Sequence, residues 1–231
     1  MYNIVAVIAC HGRLPLLELT IHRLINKNHV KHVVCVGGPD ERETCEQAGA
    51  IFVEHENYPL GKKWNAGFEK AKTLGCDGAL FVGSSDWLSD NWLSHMVPML
   101  GEYDLVGKAD FYLLDIGETR RACHWLGYTN ERRNEPIGIG RVVSARILDK
   151  INWQPFNPAM NNSMDFQMMQ KVLAHNGRCV MIVEDSMESL SISTNRWVNL
   201  HKFDEHWSNK LPSIKLDSNA FDVNFPESLL L

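Results

Sequence analysis

Residues 3–9, Asn3-Ile-Val-Ala-Val-Ile-Ala9, form an apolar run unbroken after its first residue. A strand that shows water neither face belongs in a parallel sheet covered on both sides. The chain then repeats this unit. Cys10-His11-Gly12-Arg13 reads as the loop after the strand, with Pro15 near a first helical position. Leu14, Leu17, Ile21, Leu24 and Ile25 recur at helical spacing. His32–Val36 reads as a second strand. Gly37-Gly38-Pro39 breaks it, and Asp40 is placed to cap a helix over Glu41–Gln47. Ala50–Glu54 reads as a third strand. A helix opening near Gly61 runs to Thr73, with Trp64, Phe68 and Ala71 as its core stripe. Ala79–Val82, bounded by Gly83, reads as the fourth strand. Such alternation over short loops predicts an α/β fold with a mostly parallel central sheet flanked by helices.

The pattern continues less regularly. Asp104–Lys108, Phe111–Leu114 and Arg121–Leu126 read as strands, and residues 127–136 as a polar loop. Ile137-Gly138-Ile139-Gly140-Arg141 leads into Val142–Leu148. Pro155 and Pro158 forbid a helix over residues 152–162. Ser163 reads as the N-cap of a helix with Phe166, Met169, Val172 and Leu173 as its apolar face and Gly177 at its C-terminal turn. Val180–Val183 reads as a last buried strand, and residues 184–231 as a partly irregular tail wrapping the core. No linker divides the chain. One domain is expected, with residues 1–101 as one half and 102–183 as the other.

Composition excludes several classes. No stretch of the 231 residues approaches the ~20 apolar residues of a membrane span. Met1-Tyr2-Asn3-Ile4 shows no basic leader, so no signal peptide is expected. The six cysteines include no Cys-x-x-Cys pair, which points to a reduced, cytoplasmic protein without structural zinc. A net charge of −5 argues against broad electrostatic binding to nucleic acid. Residues 116–150 run the other way, with seven basic against four acidic residues, a balance of +3. That fits a solvated loop or an acceptor-binding surface.

Ligands in open α/β sheets bind beyond the carboxyl ends of the strands. His11 and Arg13 lie at that end of the first strand, where Arg13 can meet a diphosphate or simply face solvent. Ser84, Ser85 and Asp86 follow the fourth strand. Asp86 there is either a ligand-binding carboxylate or a turn aspartate. Upstream, Gly61 permits close backbone approach at a helix start. Lys62 can neutralise phosphate charge, and Asn65 can hydrogen-bond a ribose or base.

The order of Gly61-Lys62-Lys63-Trp64-Asn65-Ala66-Gly67, a helix, a strand and Ser84-Ser85-Asp86 resembles the nucleotide-sugar half of family-2 glycosyltransferases, with the GT-A fold. There an Asp-x-Asp motif ends the strand; here serine stands first. The resemblance implies a nucleotide-sugar-dependent, inverting glycosyltransferase using Mn²⁺ or Mg²⁺, held by Asp86 with Ser84 directly or through water. Asp40 would stand in for the acidic pair that reads the nucleotide. Asp165, in Met164-Asp165, would match the catalytic base of a Glu-Asp pair, with Asp110, Asp115 and Glu184 next in line. His201 would supply a further metal contact, with His206 second. The acceptor would be a glycan or small molecule, or a hydroxylated DNA base. A nucleotidyltransferase and a catalytically idle binding domain are the rival readings.

Overall fold

The computed structural model describes residues 2–25, 27–117, 120–183, 187, 189–193, 203–205, 207–208, 210–221 and 225. Strands and helices alternate as expected: β1 (Ile4–Ala9), α1 (Leu14–Ile25), β2 (Val30–Gly37), α2 (Pro39–Gln47), β3 (Ile51–Glu54), α3 (Leu60–Leu74) and β4 (Gly78–Gly83). A short strand β5 (Asp86–Leu88) precedes α4 (Asp90–Met96), whose first turn is capped by the Ser89 hydroxyl accepting from Trp92 N–H. Then come β6 (Leu105–Lys108), β7 (Phe111–Asp115), β8 (Arg121–Trp125), β9 (Ile137–Ser144), α5 (Ala145–Lys150), α6 (Met164–Ala174), β10 (Cys179–Ile182), β11 (Ser189–Ser193) and β12 (Ser213–Leu216).

Two sheets form. The first has seven strands in the order β10-β6-β9-β4-β1-β2-β3. Its pairs are parallel except at β9, which runs antiparallel to both β4 and β6. The second has five strands, β12-β8-β7-β11-β5. This is the α/β fold expected, with a mostly parallel central sheet. β1 lies inside it, and Ile4 to Ile8 are all fully buried. Ile4, Ala6 and Ile8 face one core with α1 and α4, and Val5 and Val7 face the other with α3, α5 and α6. Burying each such side chain stabilises the fold by roughly 1.5–3 kcal/mol before entropy is counted. Gly67 lets α3 lie close on the sheet: a Cβ there would come within 2.4 Å of Val7 Cγ1. Among the described residues no helix is long and apolar enough to cross a membrane.

Several local expectations are corrected. Asp40 does not cap α2. Gly38 takes the cap position, and its N–H donates to the Glu41 carboxylate at 2.7 Å. The Gly138–Gly140 segment lies inside β9, which runs on to Ser144, and α5 starts at Ala145. The buried stripe of α6 is Met164, Met168 and Val172, while Phe166 and Leu173 are 48% and 46% exposed. Successive helical residues turn by about 100°. Once Asp165 faces the sheet edge, Phe166 is carried to the solvent side. Ser163 precedes α6 in a left-handed conformation, φ 55°, without a side-chain cap. Asn176, φ 60°, makes the left-handed exit rather than Gly177, whose N–H closes the turn on Val172 O at 2.9 Å. Residues after 183 also do more than wrap the core, because β11 and β12 belong to the second sheet.

Candidate functional site

The carboxyl ends of β1 and β4 meet at a small polar cluster. Arg13 enters from the β1 loop with φ 51°. Its two terminal nitrogens donate to Ser85 Oγ at 3.3 Å and Ser84 Oγ at 2.9 Å. Ser84 and Ser85 are the turn that takes the chain from the first sheet into the second. Asp86 closes that turn by accepting the Gly83 N–H at 2.8 Å, and its other oxygen accepts from the Ser191 hydroxyl of β11 at 2.8 Å. Burial pushes the Asp86 carboxyl up, and the charge of Asp165 adds to that push. The Ser191 and Gly83 hydrogen bonds and the Arg13 charge oppose it. Burial lowers Arg13, and the Asp86 charge opposes that. A guanidinium stays protonated through such shifts.

The loop carrying Arg13 is fixed from beneath. Glu41 is buried and accepts the N–H of Gly12 at 2.8 Å as well as that of Gly38. His11 Nδ1 lies 3.8 Å from the same carboxylate. Lys63, also buried, donates to Cys10 O at 2.5 Å and Asn57 Oδ1 at 2.9 Å. Burial pushes this lysine down. The β1 loop thus rests on one buried anion and one buried cation.

A second polar cluster faces the first from β9 and α6. Arg141 is fully buried in β9, its guanidinium 4.9 Å over the Phe81 ring. It donates to the Asp165 backbone oxygen and to Oδ1, both at 3.0 Å. The Tyr128 hydroxyl donates to Oδ2 at 2.9 Å. Burial and the Asp165 charge push the Tyr128 hydroxyl well above its ordinary range. Arg132 lies 3.7 Å over the Tyr128 ring and is itself paired with the buried Glu135. Gly138 makes room for the carboxylate, since a Cβ there would meet Oδ1 at 2.7 Å. Asp165, 22% exposed, is therefore held on both oxygens yet open to a ligand on one side.

Solved structures share this arrangement of chain. A mannosyltransferase from Pyrobaculum calidifontis, PcManGT, solved with GDP-Man and Mn²⁺, matches with a TM-score of 0.62 at 10% identity, over 87% of this chain and 59% of that one. Residues 1–349 of S. aureus TarS match at 0.54 and 15% identity, over 82% of this chain and 60% of that one. A 4-diphosphocytidyl-2C-methyl-D-erythritol synthase from Anaerococcus prevotii matches at 0.54 and 12%, over 90% and 96%. The fold is that of the nucleotide-diphospho-sugar transferases. The chain spans less than two thirds of the first two proteins. No family model matches the sequence, and no curated protein matches it.

On this GT-A-like frame, the structure brings Arg13, Ser84, Ser85 and Asp86 together and sets Asp165 close enough for its charge to act on Asp86. The other expected residues have these settings. Asp40 and Lys62 are exposed. Asn65 is buried with its amide turned to Phe156, donating to its O at 2.8 Å and accepting its N–H at 3.1 Å. Gly61 makes room for protein backbone, since a Cβ there would meet Asn157 O at 2.1 Å. Asp110 pairs with His124 at 2.7 Å, and Asp115 with Arg121 at 2.5 Å. Glu184, His201 and His206 lie outside the described residues.

Glu41, Lys63, Tyr128 and Arg141 were not among the expected site residues. Arg141 carried a signal: a lone charge inside the apolar run Ile137–Val143 needs a buried partner. The expected Mn²⁺ or Mg²⁺ asks for several hard oxygen ligands. Among the described residues no group of three or more His, Cys, Asp or Glu could hold it. At Asp86 each oxygen accepts one hydrogen bond, a guanidinium acts on it, and Asp165 is the one other carboxylate whose charge acts on it among the described residues. The described residues there do not make up a divalent-ion site.

Proposed function

We propose that the protein transfers a sugar from a nucleotide-sugar donor to an acceptor hydroxyl, with inversion at the anomeric carbon. One observation carries this reading. A basic, serine-lined cluster after β1 and β4 faces a carboxylate from the other half of the chain, near enough for the two aspartates to sense one another. The first cluster suits the diphosphate leaving group. The second suits the opposite side of the reacting carbon, where a hydroxyl must lose its proton. Asp165 takes that proton, and a positioned carboxylate contributes typically ~10²–10⁴-fold to such a step. Arg141 and Tyr128 hold its plane while it acts. The acidic net charge favours a glycan or small acceptor over a base in DNA.

The test is release of nucleoside diphosphate from UDP-glucose, UDP-N-acetylglucosamine, GDP-mannose and dTDP-glucose. Release from at least one donor is expected. It should fall at least about a hundredfold in Asp165→Asn, with binding of the free nucleoside diphosphate kept. Pyrophosphate release from CTP, with every sugar donor left intact, would assign nucleotidyl transfer instead.

A further inference from the structure

We propose that Arg13 takes the place of a divalent cation at the diphosphate, so that this site binds a nucleoside diphosphate without metal. The proposal rests on the nucleotide-sugar reading and concerns how the same site compensates phosphate charge.

The first ground is the aim of the side chain. Arg13 sits in the left-handed region, and the backbone is tied down on both sides of its side chain. Gly12 N–H is held by the buried Glu41 carboxylate, and Leu17 N–H donates to Arg13 O at 3.0 Å as α1 begins. The guanidinium therefore reaches across from β1 to the β4 turn by construction of the loop.

The second ground is what receives it. A guanidinium carries five N–H donors in a planar fork that matches two phosphate oxygens. Ser84 and Ser85 each accept one bond, from different terminal nitrogens. Hydroxyls orient the fork without cancelling its charge. Aspartate at position 84 would do the reverse: it would pair with Arg13 and close it. The serine in place of the usual first aspartate thus has two effects in one position. It removes a metal ligand and leaves a positive charge open to phosphate.

The third ground is the state of Asp86. A hard divalent cation wants ionised oxygens with open lone pairs. Asp86 spends one acceptor site of each oxygen on Gly83 and Ser191, and no group of three or more His, Cys, Asp or Glu stands there among the described residues. Its charge acts on Arg13 and keeps the loop's cation in place.

Calorimetry with UDP, GDP, CDP and dTDP, each in EDTA and in Mn²⁺, tests this on the unaltered protein. At least one diphosphate is expected to bind, with affinities in the two conditions within about twofold of each other. Arg13→Ala should weaken that diphosphate at least about tenfold and leave the parent nucleoside unchanged, with Arg13→Lys between the two because it keeps charge and loses the fork. Affinity that rises about tenfold or more in Mn²⁺ overturns the proposal, as does normal diphosphate binding by folded Arg13→Ala in EDTA. If none of the four diphosphates binds in either condition, the nucleotide reading itself is overturned and this inference falls with it.

Discussion

Two arginine–aspartate sets face each other across the site, and they are wired differently. Arg141 is sealed from solvent and bonded twice to Asp165, so its charge is consumed within the protein. Arg13 is bonded to two neutral hydroxyls, and the nearby Asp86 spends its oxygens on Gly83 and Ser191. The same two residue types thus make a buttress in one place and, on the proposal above, a receptor in the other. What separates them is whether the carboxylate meets the guanidinium directly. A directly paired arginine positions its partner. An arginine held by hydroxyls keeps its charge for a ligand.

Each side of that comparison can be broken separately. Arg141→Met should have the largest effect on stability, because it strips a partly buried carboxylate of its partner. Breaking such a pair costs typically about 3–5 kcal/mol, and the 22% exposure of Asp165 puts the expected loss at the lower end. Denaturant unfolding measures it; a loss no larger than that of an exposed pair would deny the buttress. Asp165→Asn comes next, through turnover rather than folding, at about a hundredfold or more. On the receptor side, Ser84→Asp should close the Arg13 fork and weaken nucleoside diphosphate binding in EDTA about tenfold. Unchanged affinity would mean that the fork is not what binds. Tyr128→Phe removes one hydrogen bond to a carboxylate while keeping the ring. It should cost about 1–2 kcal/mol, read as reduced turnover with donor affinity unchanged.

The smallest expected effect concerns pH. The Asp86 carboxyl is raised in the folded protein above its ordinary 3.8. The folded state therefore binds this proton more tightly than the unfolded state. Its contribution to stability falls as pH rises from the unfolded value through the folded one. Asp86→Asn should accordingly stabilise the fold near neutral pH and lose that advantage below about 3.8, where both states carry the proton. Thermal midpoints of the two proteins across that range check the sign.

Much of the first sheet was legible because its strands are unbroken apolar runs and its helices carry clear stripes. The second sheet was legible only in part: Phe111–Leu114 and Arg121–Leu126 read as strands and became β7 and β8, while β5, β11 and β12 went unread. β5 has three residues, too short for any period to register. β11, Ser-Leu-Ser-Ile-Ser, does alternate, but its polar half blends into a polar surrounding. Asp86 and Asp165 were legible as carboxylates at element ends. Lys63 could have been placed from the pattern: Gly61, Lys63, Trp64, Gly67, Phe68 and Ala71 are all buried on α3, so helical spacing already put Lys63 inward and Lys62 outward. What no local pattern showed is the choice of partner. Asn65 looks free until the segment near Phe156 folds back onto it, 91 residues later in the chain.

The Ser191–Asp86 hydrogen bond spans 105 residues. That separation gives the protein an order of completion. A ribosome that has released the chain through Ile182 has delivered every strand of the seven-stranded sheet. It has delivered only β5, β7 and β8 of the other sheet, and β11 belongs between β7 and β5. Asp86 then waits, its turn formed but its second oxygen unclaimed, until residues 189–193 emerge. The scaffold can be finished during translation while the Asp86 cluster is not. Non-local pairings of this kind form late and slowly. The Ser191–Asp86 bond therefore trails the appearance of the folded sheet, and a nascent chain halted between the two lacks it.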